Sequence, residues 1–161
     1  MNRWVVDTGP LVFLAKLDRL ELLQRGTDEI LAPVAVLNEV LAIHDEAAQK
    51  IELASQSWLQ IQTVDDRSKI RLLLADLDTG EAEVIALAQT VNANRVVMDD
   101  LDARRFAHRV GLSVVGTMGL LLAARLRGEI PSVKTEIERL QQLGFWTNKA
   151  LVEAILQAAD E

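Results

Sequence analysis

The sequence predicts a three-layer α/β/α fold with a parallel central sheet and helices on both faces. Short apolar runs alternate with longer segments of helical spacing along the whole chain, which favours parallel strands joined by right-handed crossovers. The run Val96-Val97-Met98 is apolar at every position, as in a strand covered on both faces. With 161 residues, the chain is expected to form a single domain over 1–161, with its core in 4–128 and a helical tail in 129–161.

The first half of the chain is expected to contain three strands with helices between them. The strands are Trp4-Val5-Val6, Ile30-Leu31-Ala32 before Pro33, and the alternating stretch from Leu59 to Val64. The expected helices are one opened by Pro10 and continuing to Leu17, a short one capped by Asp18 through Leu20–Leu23, and then Val34–Ile43, His44–Ser55 and Ser68–Leu77, the last ended by Asp78-Thr79-Gly80.

The second half continues the alternation and then becomes wholly helical. A helix starting at Gly80 leads to the strand Val96–Met98, and Ser113-Val114-Val115 forms the last strand. The remaining expected helices are Asp102–Val110, Met118–Arg127, one opened by Pro131-Ser132 and running to Leu143, and one capped by Thr147 or Asn148 and running to Ala159.

The composition narrows the classes of function. The chain has no cysteine, which excludes disulfides, zinc-thiolate sites and thiol nucleophiles. No signal peptide or transmembrane run is visible, and the cytoplasm is the expected compartment. The net charge of −7 argues against broad electrostatic binding of nucleic acid. That objection weakens if several acids gather around divalent cations, because the bound metal cancels their charge.

A set of acids is spaced so that it can meet at one edge of the sheet. Two positions end apolar strands and others begin a helix, and these ends share one edge in a parallel sheet. The set comprises Asp7, Glu39, Glu81 or Glu83, and Asp99 or Asp100. Converging carboxylates repel one another unless a cation lies between them. Because the chain has no cysteine and only two histidines, an oxygen-only site is expected, which favours Mg²⁺ or Mn²⁺ over zinc.

Each of these acids also has an ordinary structural explanation. Glu81 and Glu83 suit the first turn of a helix, and Asp99-Asp100 suits a turn followed by a helix cap. Glu39 is the hardest to explain in this way. Its apolar neighbours leave it little exposed face, so the side chain is expected to be partly enclosed or to point into a cleft.

Other candidates outside the acid set are the basic and aromatic residues. Arg104, Arg105 and Arg109 form either a solvated helix face or a contact for a phosphate backbone. His44 and His108 are expected to be ordinary surface residues, and the three tryptophans are expected to pack rather than to stack on bases.

Four motifs occur in a fixed order: Asp7-Thr8-Gly9, Glu39 in the third helix, Gly80-Glu81-Ala82-Glu83, and Val97-Met98-Asp99-Asp100-Leu101-Asp102. Together they resemble the PIN domain family, metal-dependent ribonucleases that include the VapC-type toxins. The Asp-Thr-Gly-Pro start, the Gly-Glu-Ala-Glu helix, the Asp-Asp-x-x-Ala-Arg segment and the Val-Gly-Thr-Met-Gly-Leu-Leu turn are similar to a prokaryotic subgroup of PIN proteins. The resemblance spans about residues 4–128, and the tail is also typical of that subgroup.

The resemblance assigns the family's acids to particular positions. The first acid falls on Asp7 and the second on Glu39. The third falls on Glu81, with Glu83 as a possible support. Thr8 resembles the hydroxyl residue that follows the family's first acid.

The fourth acid is where this sequence departs from the family. The usual pattern is a threonine or serine followed two residues later by an aspartate, whereas this chain has Asp99-Asp100 with Asp102 beyond. Asp100 is the favoured ligand and Asp99 the alternative. The departure leaves the number of bound metals open, one or two.

The resemblance implies a Mg²⁺- or Mn²⁺-dependent endoribonuclease. Its catalytic residues would be Asp7, Glu39, Glu81 and Asp100, with metal ligands drawn from these and from Glu83 and Asp99. The family also implies a toxin role with a small antitoxin protein as partner, and commonly a homodimer.

Two other functions compete with this reading. A non-catalytic binding module on the same fold suits the weak basic character of the chain. A receiver-like phosphoacceptor domain also uses acids at strand ends, but Gly116-Thr117 stands where its lysine would be required.

Overall fold

The computed structural model describes residues 1–161 and has five parallel strands at its centre. Their order across the sheet is β3-β2-β1-β4-β5. The strands are β1 Arg3–Val6, β2 Glu29–Pro33, β3 Leu59–Gln62, β4 Arg95–Val97 and β5 Val114–Val115. All four pairings between neighbouring strands are parallel.

The order of the strands reverses next to β1. Val5 is in register with Leu31 of β2 on one side and with Val96 of β4 on the other. The chain first builds outward from β1 to β2 and β3, and then returns to place β4 and β5 on the opposite side of β1. In open α/β sheets such a reversal leaves a crevice at the carboxyl ends of the two strands, where ligands bind.

Nine α-helices and one short 3₁₀ helix, Leu20–Gln24, flank the sheet. The helices are α1 Thr8–Lys16, α2 Val34–Leu41, α3 Glu46–Ser55, α4 Arg67–Leu73, α5 Thr79–Thr90, α6 Leu101–Arg109, α7 Thr117–Leu126, α8 Val133–Gln142 and α9 Lys149–Ala158. The predicted three-layer α/β/α class with a parallel sheet is confirmed. No helix is both long and apolar enough to cross a membrane.

One hydrophobic core runs through the sheet and the tail. The strands bury apolar side chains completely, as at Val5 and Val97, and Ile137 and Ile155 of the tail belong to the same cluster. The helices α8 and α9 pack against α7 and against each other. The tail is thereby attached to the β5 side of the fold.

The starts of three helical segments differ from the prediction. The first helix begins at Thr8 with Asp7 as its cap, so Pro10 lies inside the first turn rather than opening it. Asp18 does not cap the 3₁₀ helix; it has a positive φ of 57° and its carboxylate pairs with Lys50. Asp78 caps the start of α5, whereas the sequence pattern assigned it to the end of the preceding helix.

Candidate functional site

The first strand delivers a buried carboxylate to the crevice. Asp7 follows β1 directly and is only 8% exposed, and its Oδ1 accepts a hydrogen bond of 2.8 Å from the backbone N–H of Thr8. Burial is the main cause that raises the pKa of Asp7 to about 7, and the carboxylates of Glu81, Asp78 and Glu39 add to it. The bond from Thr8 opposes this rise only in part.

Glu39 reaches the same place from α2. The hydroxyl of Thr8 donates a hydrogen bond of 2.9 Å to its Oε2. The residue is exposed, so of the two expectations for Glu39, partial enclosure is wrong and a position in a cleft stays open. The apolar neighbours Val36 and Val40 turn into the core, and Glu39 lies on the side of α2 that faces the starts of α1 and α5.

The start of α5 supplies two more carboxylates, one of which was not predicted as a site residue. Asp78 and Glu81 form a capping box: Oδ1 of Asp78 accepts from the N–H of Glu81 at 2.8 Å, and Oε1 of Glu81 accepts from the N–H of Asp78 at 3.2 Å. The spacing Asp-x-x-Glu is the sequence signal that identifies such a start. Glu81 therefore does have the ordinary structural role of a residue in the first turn of a helix, but the capping box also lies among the other acids.

The electrostatic setting of Glu81 shows which acids lie near it. Burial is the largest cause that raises its pKa, and the carboxylates of Asp78, Asp100 and Glu39 raise it further. Asp100 is exposed and caps α6, its Oδ2 accepting from the N–H of Ala103 at 2.9 Å. Asp7 is repelled by Glu39, Asp78 and Glu81, and Glu81 is repelled by Glu39, Asp78 and Asp100. These five carboxylates are called here the acid cluster.

Asp99 has a different environment from its neighbour Asp100. Its two carboxylate oxygens accept hydrogen bonds of 2.7 Å each from the backbone N–H and the hydroxyl of Thr117. Burial raises the pKa of Asp99, while the bonds from Thr117 and the charge of Arg104 lower it. Asp99 is therefore held by groups of its own and ties the end of β4 to the start of α7.

Thr117 is a residue that the sequence reasoning missed. It is completely buried and directly follows Gly116 after β5. The available signal was the local likeness between Val5-Val6-Asp7-Thr8 and Val114-Val115-Gly116-Thr117. In both segments a hydroxyl at the start of a helix bonds to an acid from another part of the chain.

Glu83 lies apart from the acid cluster. It is buried and pairs with Arg67 at 3.5 Å. Two residues along an α-helix correspond to a rotation of about 200°, so Glu81 and Glu83 point to different sides of α5. The charge of Glu83 is thus balanced by Arg67.

The three arginines of α6 have separate surroundings. Arg104 is half-buried, donates to the backbone oxygen of Met98 at 3.3 Å and lies beside Asp99. Arg105 is exposed and 3.8 Å from Asp102. Arg109 is exposed and stacks over the ring of Phe106. Among the three, Arg104 alone lines the groove next to the acid cluster.

The donor set of the acid cluster fits a hard divalent cation. All of its donors are carboxylate oxygens, which Mg²⁺ and Mn²⁺ prefer. None of these five carboxylates forms a salt bridge with a lysine or arginine. The ionised groups that raise the pKa of Asp7 and Glu81 are other carboxylates, so no basic side chain pairs with this charge. In this arrangement no three acids surround a single point at which an ion would be held. Glu39 accepts a hydrogen bond from Thr8, and Asp78 and Glu81 accept from each other's backbone N–H groups. Binding would require these side chains to rotate toward Asp7.

Comparison with known proteins adds one finding. The family model DUF3368, described as a PIN domain, matches residues 3–161, which is nearly the whole chain. No curated protein matches the chain.

Proposed function

Because the chain belongs to the PIN domain family, whose fold is of the nuclease type, we propose that it is a metal-dependent endoribonuclease that hydrolyses RNA phosphodiester bonds. The observation that carries the proposal is the acid cluster at the reversal point of the sheet. Burial and the repulsion of neighbouring carboxylates raise the pKa of Asp7 to about 7, and Asp7 forms no salt bridge with a lysine or arginine. Such a cluster is unfavourable by itself and is relieved by a bound cation.

The proposed ligands of the cation are Asp7, Glu39, Glu81 and Asp100, and Asp78 joins them as a fifth candidate. The cation would be Mg²⁺ or Mn²⁺. When bound, a divalent cation polarises the phosphodiester and makes water a better nucleophile at neutral pH. Asp7 would release its proton on binding, since a carboxylate must be ionised to act as a ligand.

The surrounding residues position this group. Thr8 fixes the carboxylate of Glu39 through its hydroxyl. Asp99 is assigned a positioning role, because both of its oxygens are already engaged by Thr117. Arg104 lines the same groove as Asp100 and is the candidate to contact a phosphate of the RNA. Arg105 and Arg109, on other parts of α6, are candidates for contacts with phosphates further along the RNA.

A toxin role with a small antitoxin partner, and a homodimeric state, are finer parts of the same proposal. Their support is the likeness of the motifs to VapC-type toxins. Co-expression with the product of a small neighbouring gene tests the first, since an antitoxin should co-purify and suppress RNA cleavage. Sedimentation of the purified chain tests the second.

The central experiment compares two aspartates that both cap helices. Asp7→Asn should abolish Mn²⁺-dependent cleavage of RNA, because the amide cannot carry the charge that the cation requires. Asp45→Asn is the control, since Asp45 is also a helix-capping aspartate, accepting from the N–H of Ala48 at the start of α3, and asparagine caps helices equally well. Cleavage that persists in a clean preparation of Asp7→Asn would refute the proposal.

A non-catalytic binding module is the second candidate. It is favoured by the net charge of −7, which makes the surface a poor match for RNA phosphates. A crystal structure with Mn²⁺ separates the two candidates, because a binding module need not hold an ion between Asp7 and Glu81.

A further inference from the structure

A groove of about 580 Å³ lies beside the acid cluster. Its lining includes Asp99, Asp100 and Arg104 together with Phe13 of α1 and residues 144–148, from the loop that joins α8 to α9. This groove, called here the tail groove, connects charged site residues directly with aromatic side chains. Its volume is in the range of sites that hold small ligands.

Trp146 is the most exposed aromatic residue of the chain and lines the tail groove. It is 83% exposed, whereas Trp4 is 8% exposed and Trp58 is half-buried. The expectation that the three tryptophans are packing residues is therefore wrong for Trp146. Leu101 and Leu151, two other exposed apolar residues, line the same groove. Single exposed apolar residues are ordinary, but a contiguous group beside a polar site marks a binding surface.

The loop that carries Trp146 is anchored on both sides of it. The ring of Phe145 meets the ring of Phe13 edge to face, with centroids 5.0 Å apart and planes at 88°. Asn148 caps α9, its side chain accepting from the N–H of Leu151 at 2.7 Å. Gly144 has a φ of 90°, which lets the chain turn sharply after α8. The indole is thus displayed by an ordered turn.

We propose that Trp146 is a stacking platform for a nucleobase, which positions the adjoining nucleotide of the substrate against the acid cluster. The inference rests on the proposed nuclease function and adds a specificity-determining residue to it. Arg104, which lines the same groove, contacts the phosphate of the same segment. A base can reach the indole only if it is unpaired, because the faces of paired bases are covered by their neighbours.

The charge of the protein favours this mode of binding. Arg104 is the only cation that lines the tail groove, and the net charge is −7, so phosphate contacts contribute little affinity. Stacking on an aromatic ring needs no charge and is worth about 5- to 100-fold in affinity for each base. A protein segment would also cover the apolar residues of the tail groove. A nucleotide would in addition place a phosphate beside Arg104 and, through a bound cation, beside the carboxylates, so the combination of groups favours a nucleotide.

Binding of a nuclease-resistant, unpaired oligonucleotide in the presence of Mn²⁺ tests the inference. Trp146→Ala should weaken binding about tenfold or more and raise KM far more than it lowers kcat, while Trp146→Phe should retain most of the affinity. The same oligonucleotide without its bases should bind wild type and Trp146→Ala equally. Leu72→Ala is the control, since Leu72 is 78% exposed on α4 and does not line the tail groove.

The outcomes separate this inference from the nuclease proposal. Equal binding of the base-containing strand by wild type and Trp146→Ala overturns the stacking role, and so does a wild type that binds no oligonucleotide. If the wild type cleaves no RNA but still binds the base-containing strand more tightly than Trp146→Ala does, the stacking role is supported and only the nuclease activity is refuted. If Trp146→Ala impairs capture of a partner protein and leaves oligonucleotide binding unchanged, the tail groove is a protein interface and the inference fails.

Discussion

The backbone of Gly80 lies directly against the carboxylate of Glu39. A β-carbon at position 80 would overlap Oε1 of Glu39 and would lie 3.6 Å from Oδ1 of Asp78. A side chain at position 80 would therefore have to displace the exposed end of Glu39, whose carboxylate occupies the space that glycine leaves open. Glycine at this position lets the capping box of α5 and the carboxylate of Glu39 lie side by side without that displacement.

Gly80→Ala should displace Glu39 and weaken Mn²⁺ binding, measured by calorimetry, about tenfold or more. In a Glu39→Ala background the same change should cost no stability, because alanine is favoured over glycine in a helix by up to about 1 kcal/mol. An equal loss of stability with and without Glu39 would show that the overlap is not with this carboxylate.

The stability of the metal-free protein should fall with rising pH through Asp7. Its pKa is about 7 in the folded chain against an ordinary value of 3.8, so the folded state binds a proton that the unfolded state has released. The penalty is absent below about pH 4, grows between pH 4 and 7, and is complete above pH 7. Asp7→Asn should remove it and gain up to about 4 kcal/mol at pH 8. Urea unfolding in a chelator at several pH values measures the difference, and parallel profiles for the two proteins would contradict it.

Thr117→Val should destabilise the fold by about 1–3 kcal/mol. Valine has the shape of threonine but leaves Oδ2 of Asp99 without its hydrogen bond of 2.7 Å, in a partly buried setting. Loss of that bond should also raise the pKa of Asp99 further, which carboxyl NMR detects. Thr117→Ser keeps the hydroxyl and should behave nearly as wild type. A valine variant with unchanged stability would mean that the bond has no net value.

Glu81→Gln and Glu83→Gln should differ sharply although they lie two positions apart on α5. Glu81→Gln should weaken Mn²⁺ binding, because it removes a charge from the acid cluster. Glu83→Gln should leave Mn²⁺ binding unchanged and cost about 1 kcal/mol of stability, since its partner Arg67 is more than half exposed. Calorimetric titration and thermal unfolding of both variants test this pair, and comparable losses of Mn²⁺ affinity would place Glu83 in the site.

Much of the fold follows from local patterns in the sequence. The apolar runs of β1 and β4, each followed by an acid, predict parallel strands with carboxylates at one edge, and glycine and proline mark where helices stop and start. These features depend on residues close together in the chain, so periodicity and turn chemistry are sufficient to identify them. The order and spacing of the acid motifs likewise indicated the family.

The directions and partners of side chains were decided only by the tertiary structure. The rotation of α5 against α2 and the sheet places Asp78 in the acid cluster. The same rotation places Glu83 outside the cluster, where it pairs with Arg67. Asp99 bonds to Thr117, 18 residues away. Trp146 lines the same groove as Asp99 and Asp100, although the three residues are far apart in the sequence. The sequence by itself determined which elements form and which acids end them, since those choices are local. Which groups meet depends on contacts between distant segments, and no local pattern encodes those contacts.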